Sequence, residues 1–276
     1  MTPERQRPFA HGETRLVDVD GHRLRVSVAG SGPPLLLLNG FGVSIELWTP
    51  LREALPGVRT IAFDPPGVGA SSIPPLPVSI RGLAHLATRV LDEHDCATAD
   101  VLGVSMGGAV AQELAHRAPD RVRRAVLCAT SCGLGAVPGN PLALALLVNP
   151  MRNYSRRYAR WAAPHMLGGR VRTSATAART YVALGNSRPP DLRGLVWQML
   201  GMSGWSSLPW LHTLGLPVLV LSGDDDPIVP MHNARLLASR IPNARLEVIR
   251  GGGHLFLLES LDVAAPVIRG FLGAER

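Results

Sequence analysis

Short apolar runs alternate along this chain with longer stretches whose apolar residues recur every three or four positions. Val17 to Val19 and Leu24 to Val28 read as the two strands of a hairpin turning at Asp20-Gly21, and Leu35 to Leu38 is apolar throughout, as a strand buried on both faces would be. A short helix near Leu47 to Leu55 precedes a strand at Val58 to Phe63, and a helix from Ser79 to Glu93 precedes a strand at Asp100 to Gly103. Met106 to Arg117 reads as a helix stopped by Ala118-Pro119. Ala125 to Ala129, Val218 to Ser222 and Leu246 to Ile249 read as further strands, the last two each followed by a helix. Strands that alternate with helices are joined by crossovers, so the pattern predicts an α/β fold: a mostly parallel, doubly wound sheet with helices on both faces.

Between Gly133 and Leu214 the alternation stops and helical, Arg-rich and aromatic-rich sequence intervenes. The expected organisation is one core built from residues 1–132 and 215–276, with 133–214 inserted as a helical cap. Charge sharpens that division. The formal net charge is +7 and every basic residue is arginine. From 135 to 210 there are nine arginines and a single acid, Asp191, so this stretch carries +8 and the remainder is nearly neutral. All three tyrosines and four of the five tryptophans lie in the same stretch. Asn153 to Ala163 would place Tyr154, Tyr158 and Trp161 on one stripe of a helix with Arg156, Arg157 and Arg160 opposite. Such a face either packs on the core or docks on an apolar surface with an anionic coat. No recognition motif accompanies the charge, so nucleic acid is not an expected partner.

With 276 residues and 46% hydrophobic content, the chain can bury a sizeable core, which excludes a disordered protein and a disulfide-stapled miniprotein. Cys96, Cys128 and Cys132 are odd in number and read as reduced, buried thiols. Met1 to Glu13 is polar and broken by Pro3 and Pro8, unlike a signal peptide, and no apolar run approaches the ~18 residues of a membrane span. A cytoplasmic chain without a transmembrane segment is expected. No oligomeric state is assigned.

The chemistry concentrates at a few loops. Gly103-Val104-Ser105-Met106-Gly107 follows a strand and opens a helix, the context in which a G-x-S-x-G string marks a nucleophile elbow rather than a plain N-cap serine. A serine needs a base oriented by a carboxylate, expected in the chain order Ser, Asp, His. Gly223-Asp224-Asp225-Asp226-Pro227 follows the strand Val218 to Ser222, and Asp226 is the expected acid with Asp225 as the alternative. Asp224 and Asp225 read otherwise as solvated turn residues or as favourable charge near the next helix. His254 follows three glycines between the last strand and the last helices and is the expected base. His232 is the rival, but it comes beside the acid on a predicted helix. An oxyanion would need two preorganised donors: the backbone N–H of Met106 and that of Phe41 in the loop Asn39-Gly40-Phe41-Gly42. Asp64-Pro65-Pro66-Gly67-Val68-Gly69 reads as a turn that fixes loop geometry. No His/Cys set has zinc spacing and no phosphate-cradling loop is present, so no metal and no cofactor are expected.

Over essentially its whole length the chain resembles the α/β-hydrolase family, and within it the intracellular medium-chain-length poly(3-hydroxyalkanoate) depolymerases. The resemblance is carried by Asn39-Gly40, where most α/β-hydrolases have His-Gly, by IAFDPPGVGASS at 61–72, and by GGAVAQELAHRAPDRVRRAVLCAT at 107–130. Val137-Pro138-Gly139, Asn149-Pro150, WLHTL at 210–214, GDDDPIVP at 223–230, RIPNA at 240–244 and GGHLFLL at 252–258 extend it. It implies Ser105, Asp226 and His254 as a catalytic triad and an ester of a polymer as substrate, with the cap meeting a granule surface. The branch usually has tryptophan after the nucleophile, where this chain has Met106. Methionine there is common among general esterases, which leaves a carboxylesterase or lactonase acting on small soluble esters as the alternative. A noncatalytic binding protein on the same scaffold is the reading from another class; such proteins commonly lose a triad member, and all three are present here.

Overall fold

The structure, a computed structural model, describes residues 12–185 and 188–273. β1 (Glu13–Val19) and β2 (His22–Ala29) form the expected antiparallel hairpin. Asp20 and Gly21 both have positive φ, at 45° and 79°, which a two-residue turn between twisted strands demands. There follow β3 (Pro34–Leu38), a 3₁₀ turn at Ile45–Trp48, α1 (Thr49–Ala54), β4 (Arg59–Phe63), α2 (Ile80–Asp92), β5 (Ala99–Val104), α3 (Met106–Arg117) and β6 (Val122–Cys128). Among the described residues six helices then intervene: α4 (Pro141–Val148), α5 (Met151–Tyr154), α6 (Arg156–Leu167), α7 (Gly169–Thr173), α8 (Ala175–Gly185) and α9 (Leu192–Met202). The chain returns to the sheet with β7 (Val218–Gly223), α10 (Met231–Arg240) and β8 (Ala244–Ile249), and ends in α11 (Phe256–Glu259) and α12 (Leu261–Gly273).

The sheet order is β1-β2-β4-β3-β5-β6-β7-β8, with β2 antiparallel to both neighbours and every pair from β4 to β8 parallel. Alternation along the central strands divides the core in two. In β3, Leu36 and Leu38 join the layer under α2 and α3, while Leu35 and Leu37 join the layer under α1 and α12. Among the described residues the inserted helices share the sheet's core: Ala143, Leu146, Ala159, Ala162, Ala163 and Met166 are buried in the second of these layers, and Leu195 in the first.

The aromatic stripe expected from Asn153 to Ala163 is not one helix. The chain is extended at Ser155 (φ −124°, ψ 108°), where the hydroxyl caps α6 by accepting from the Tyr158 N–H. Tyr154 therefore belongs to α5. The face that α6 buries is its alanine face, leaving Trp161 and Tyr154 exposed. Trp205 and Trp210 also depart from a cap position: Trp210 stacks on His116 of α3 and the Trp205 indole N–H donates to Glu113 of the same helix.

A buried ion cluster ties the loop after β3 to the loop after β4. Arg25 donates through Nε to Asp64 (2.5 Å) and through both terminal nitrogens to Glu46 (2.8 Å each). Asp64 also accepts from the Ile45 and Ala70 N–H groups. A Cβ at Gly69, where φ is +59°, would lie 2.0 Å from Asp64 Oδ2, so the 64–69 turn fixes loop geometry as expected. Burial pushes the Asp64 carboxyl above its ordinary value against the pull of Arg25; at Glu46 burial acts the same way, but hydrogen bonds from Arg25 and Ser44 and the charge of Arg25 together outweigh it and the pKa falls. Arg25→Met would strand two buried carboxylates and is expected to cost about 3–5 kcal/mol in urea unfolding, with an added Asp64→Asn costing less than the sum of the single changes.

Candidate active site

Four loops at the carboxyl edge of the parallel strands converge on one place, the edge at which this class of sheet presents its ligands. The loop after β5 is the elbow. Ser105 has φ 55° and ψ −117°, a conformation that L-residues rarely adopt, and it is held there from both sides. Its N–H donates to the Cys128 carbonyl of β6 (2.9 Å), and its own carbonyl accepts from the Thr130 hydroxyl (2.7 Å). The glycines around it permit close packing. A Cβ at Gly103 would lie 2.1 Å from the Gly107 carbonyl oxygen, one at Gly107 2.0 Å from that of Leu38, and one at Gly108 2.5 Å from the Thr130 Cβ.

The loops after β7 and β8 bring Asp226 and His254 together. His254 Nδ1 and Asp226 Oδ2 are 2.8 Å apart, and both side chains are almost fully buried. The other Asp226 oxygen accepts from the Ile228 and Val229 N–H groups, so the carboxylate cannot turn away from the imidazole. Its neighbours are not merely solvated turn residues, nor charges serving the next helix. Asp224 accepts from the Gly251 N–H of the histidine loop, and Asp225 accepts from the Gly169 N–H of α7 (2.8 Å) and faces Arg172. Three consecutive aspartates thus hold three different backbones or rings. His232 is exposed on α10, away from this cluster.

Ser105 and His254 line the same narrow pocket, walled by Phe41, Val43, Leu147, Met166, Tyr181 and Leu255 with Arg152 among them. Among the described residues no hydrogen bond joins the Ser105 hydroxyl to His254; such bonds commonly tighten only when substrate arrives. Ser105 also lines a second pocket with Met106, Ala109, Thr130, Met202 and Trp205.

The loop after β3 supplies Phe41 to the first pocket. Neither the Phe41 nor the Met106 backbone N–H is engaged by an acceptor among the described residues. Asn39, at the position where most α/β-hydrolases have histidine, bridges this loop: it accepts from the Trp48 indole N–H and donates to the Val43 carbonyl. Residues not anticipated from sequence also converge here. Arg152 of α5 donates to the Phe41 carbonyl, Gln198 of α9 accepts from the Gly42 N–H, and Glu259 accepts from Gly253 N–H beside His254 and from Val171 N–H of α7. Burial raises the Glu259 carboxyl above its usual value even with these donors in place. No motif announces any of the three: Arg152 and Gln198 act on backbone atoms far away in sequence, and Glu259 joins the nearby Gly253 to the distant Val171.

The sheet order with its reversed second strand, the strained serine turn and the acid–histidine pair on later strands define an α/β hydrolase. Residues 33–261 match the family described as alpha/beta hydrolase fold, and the chain belongs to that family. It is 43% identical over 266 residues to a poly(3-hydroxyalkanoate) depolymerase of Ectopseudomonas oleovorans, covering 95% of this chain and 93% of that one. Among solved structures it is similar to an esterase from Thermogutta terrifontis, with TM-score 0.79 and 25% identity over 95% of this chain and 98% of the other. The enol-lactonase of Burkholderia xenovorans LB400 superposes with TM-score 0.82 at 24% identity, over 94% and 100% of the two chains, which shows a shared fold.

The strain at the elbow is open to measurement. Ser105→Gly is expected to raise unfolding stability by about 1 kcal/mol, since glycine adopts this φ without penalty, whereas Ser105→Ala should leave stability nearly unchanged.

Proposed function

We propose that this chain is a serine ester hydrolase that cleaves medium-chain poly(3-hydroxyalkanoate) through an acyl-enzyme. The observation that carries the hydrolase reading is the buried 2.8 Å His254–Asp226 pair in the wall of the pocket that also exposes Ser105 on its strained turn. In this reading Ser105 Oγ attacks the ester carbonyl while His254 Nε2 takes its proton. Asp226 holds Nδ1–H, which fixes the tautomer and favours the imidazolium that forms. The carbonyl oxygen becomes an oxyanion facing the N–H groups of Phe41 and Met106. The alcohol leaves with the proton from His254, and water repeats the sequence on the acyl-enzyme to release the acid.

The polymer substrate is supported by the 43% identical relative and by the two mainly apolar pockets that Ser105 borders. A chain cleaved internally must extend from the scissile ester in two directions, which two pockets at one serine suit. The same reading gives the inserted helices, residues 133–214 with their flanks, a second task at the surface of the polymer granule. Eleven of the fifteen large apolar side chains exposed among the described residues lie between 134 and 200, including Leu142, Met151, Tyr154, Trp161, Val196 and Leu200. Apolar side chains set among arginines suit an apolar surface with an anionic coat. Cys96, Cys128 and Cys132 are buried free thiols, as suits a reducing cytoplasm, and no described helix is long and apolar enough to cross a membrane.

Ser105→Ala is expected to lower kcat by about 10⁴-fold or more, and Asp226→Asn by a comparable factor, while Asp225→Asn costs less than about tenfold because its amide oxygen can still accept from Gly169. A serine-reactive phosphonate should label Ser105 in the wild type; folded protein that never labels would instead be a noncatalytic binding protein. Purified enzyme should clear a suspension of medium-chain polyester granules. Rapid turnover of small chromogenic esters with granules left intact would favour the carboxylesterase or lactonase reading.

A further inference from the structure

The loop that carries Phe41 is held by two side chains from the inserted helices, and both act on the same peptide group. Arg152 Nη2 donates to the Phe41 carbonyl oxygen (3.1 Å), and Gln198 Oε1 accepts from the Gly42 N–H (2.8 Å). The two atoms belong to the single amide plane between Phe41 and Gly42, gripped at its oxygen by α5 and at its nitrogen by α9. We propose that Arg152 and Gln198 are positioning residues for the oxyanion site, so that the inserted helices set the aim of the Phe41 N–H. The inference rests on the reading of that N–H as an oxyanion donor.

Each half of the grip is built rather than incidental. Arg152 is 4% exposed, its Nε donates to the Leu147 carbonyl (2.7 Å), its Nη1 lies 3.5 Å from the Tyr181 hydroxyl, and its guanidinium carbon sits 5.6 Å from the centre of the Phe41 ring. One group therefore fixes both the carbonyl and the side chain of Phe41. Gln198 is 5% exposed and its Nε2 has no partner among the described residues. A buried unsatisfied amide nitrogen destabilises, and the opposite flip would set that nitrogen against the Gly42 N–H, donor to donor, so the acceptor contact is the one interaction that accounts for glutamine here. Gly42 completes the fit. Its φ is +65°, which glycine adopts without strain, and a Cβ there would lie 2.7 Å from Leu195 Cδ2 and 2.9 Å from Arg152 Nη2, so a larger residue would displace the Arg152 end of the grip.

The chemical consequence follows from the chain. The Phe41 N–H belongs to the preceding peptide plane and shares the Phe41 Cα with the gripped plane. With the gripped plane and the ring both fixed, little freedom is left for that N–H except rotation about the Phe41 N–Cα bond. A donor misaimed by a fraction of an ångström still allows the ground-state ester to bind but stabilises less of the oxyanion.

The test uses Gln198→Met and Arg152→Met, with Gln198→Glu as the conservative variant that keeps an acceptor oxygen. Catalytic constants are expressed per site titrated to endpoint with a serine-reactive phosphonate, so a partly unfolded preparation does not mimic the effect. The second probe is a trifluoromethyl ketone. Ser105 Oγ adds to its carbonyl carbon, the hydroxyl proton passes to His254, and the carbonyl π pair becomes an oxyanion in the site. The expected result for both methionine variants is a fall in kcat of roughly 10- to 100-fold with KM within about threefold of wild type, and ketone affinity reduced by the same factor as kcat/KM. Gln198→Glu should recover much of the loss. Unchanged kcat and ketone affinity in Gln198→Met, or a loss confined to KM, would overturn the proposal. Gln198→Met removes an unsatisfied polar atom and should fold, so it decides the matter if Arg152→Met does not accumulate. A wild type that neither labels nor binds the ketone would instead sink the hydrolase reading itself, which keeps the two failures apart.

Discussion

No side chain fits between the start of α3 and the end of β3, and the geometry of the site depends on that. A Cβ at Gly107 would meet the Leu38 and Asn39 carbonyls, so only a glycine lets the helix after Ser105 lie directly on the strand that launches the Phe41 loop. The same closeness is why Ser105 must take its strained turn: strand β5 runs in register between β3 and β6, and helix α3 has to leave it almost at once to cover the sheet. Strain at the elbow is offset by bonds from Cys128 and Thr130, both from the neighbouring strand and its exit. Packing of backbone on backbone therefore sets the distance between Ser105 and the Phe41 loop before any polar side chain acts.

The inserted helices are fastened to this edge of the sheet rather than laid over it. At the α6–α7 junction the Leu167 carbonyl accepts from the His254 N–H, the Gly169 N–H donates to Asp225, and the Val171 N–H donates to Glu259. On the other flank, α5 and α9 reach the Phe41–Gly42 peptide. The positive charge of this stretch has part of its explanation here. Arg170, Arg172 and Arg188 pair with Asp262, Asp225 and Glu46 of the core. These pairs are half-exposed and each contributes little on its own, but they use core acids to seat a basic insertion.

Much of this was legible in the sequence because it follows from local rules. Period-two and all-apolar runs gave the strands, Asp20-Gly21 gave the hairpin, and the strand–serine–helix context gave the elbow. The spacing from Gly223 and the following Pro227 favoured Asp226 over Asp225, chain order favoured His254 over His232, and Asp226 and His254 form a buried pair. Local pattern failed where a single polar residue outweighed periodicity. Ser155 caps α6 and breaks the stripe that Tyr154, Tyr158 and Trp161 appeared to share, because an N-cap hydroxyl bond competes with continuing the helix. It failed again for Asp224, Asp225, Arg152 and Gln198, whose partners are backbone atoms dozens of residues away and carry no sequence identity to match.

On the proposed reading one set of helices serves two surfaces with opposite demands. Its outer side leaves Leu142, Trp161 and Leu200 in solvent, which is costly for a monomer in water and sensible only against something apolar. Its inner side keeps a buried guanidinium and a half-satisfied amide against the Phe41 loop, which is costly for stability and sensible only if the aim of that loop matters to the reaction. Both costs fall on the same six helices, while the central strand β3 is apolar and buried throughout its leucines. If the substrate is a solid polymer, as proposed, the element that meets the solid is also the element that aims the proposed oxyanion donor, and α5 and α9 would join contact with the polymer to the chemistry at Ser105.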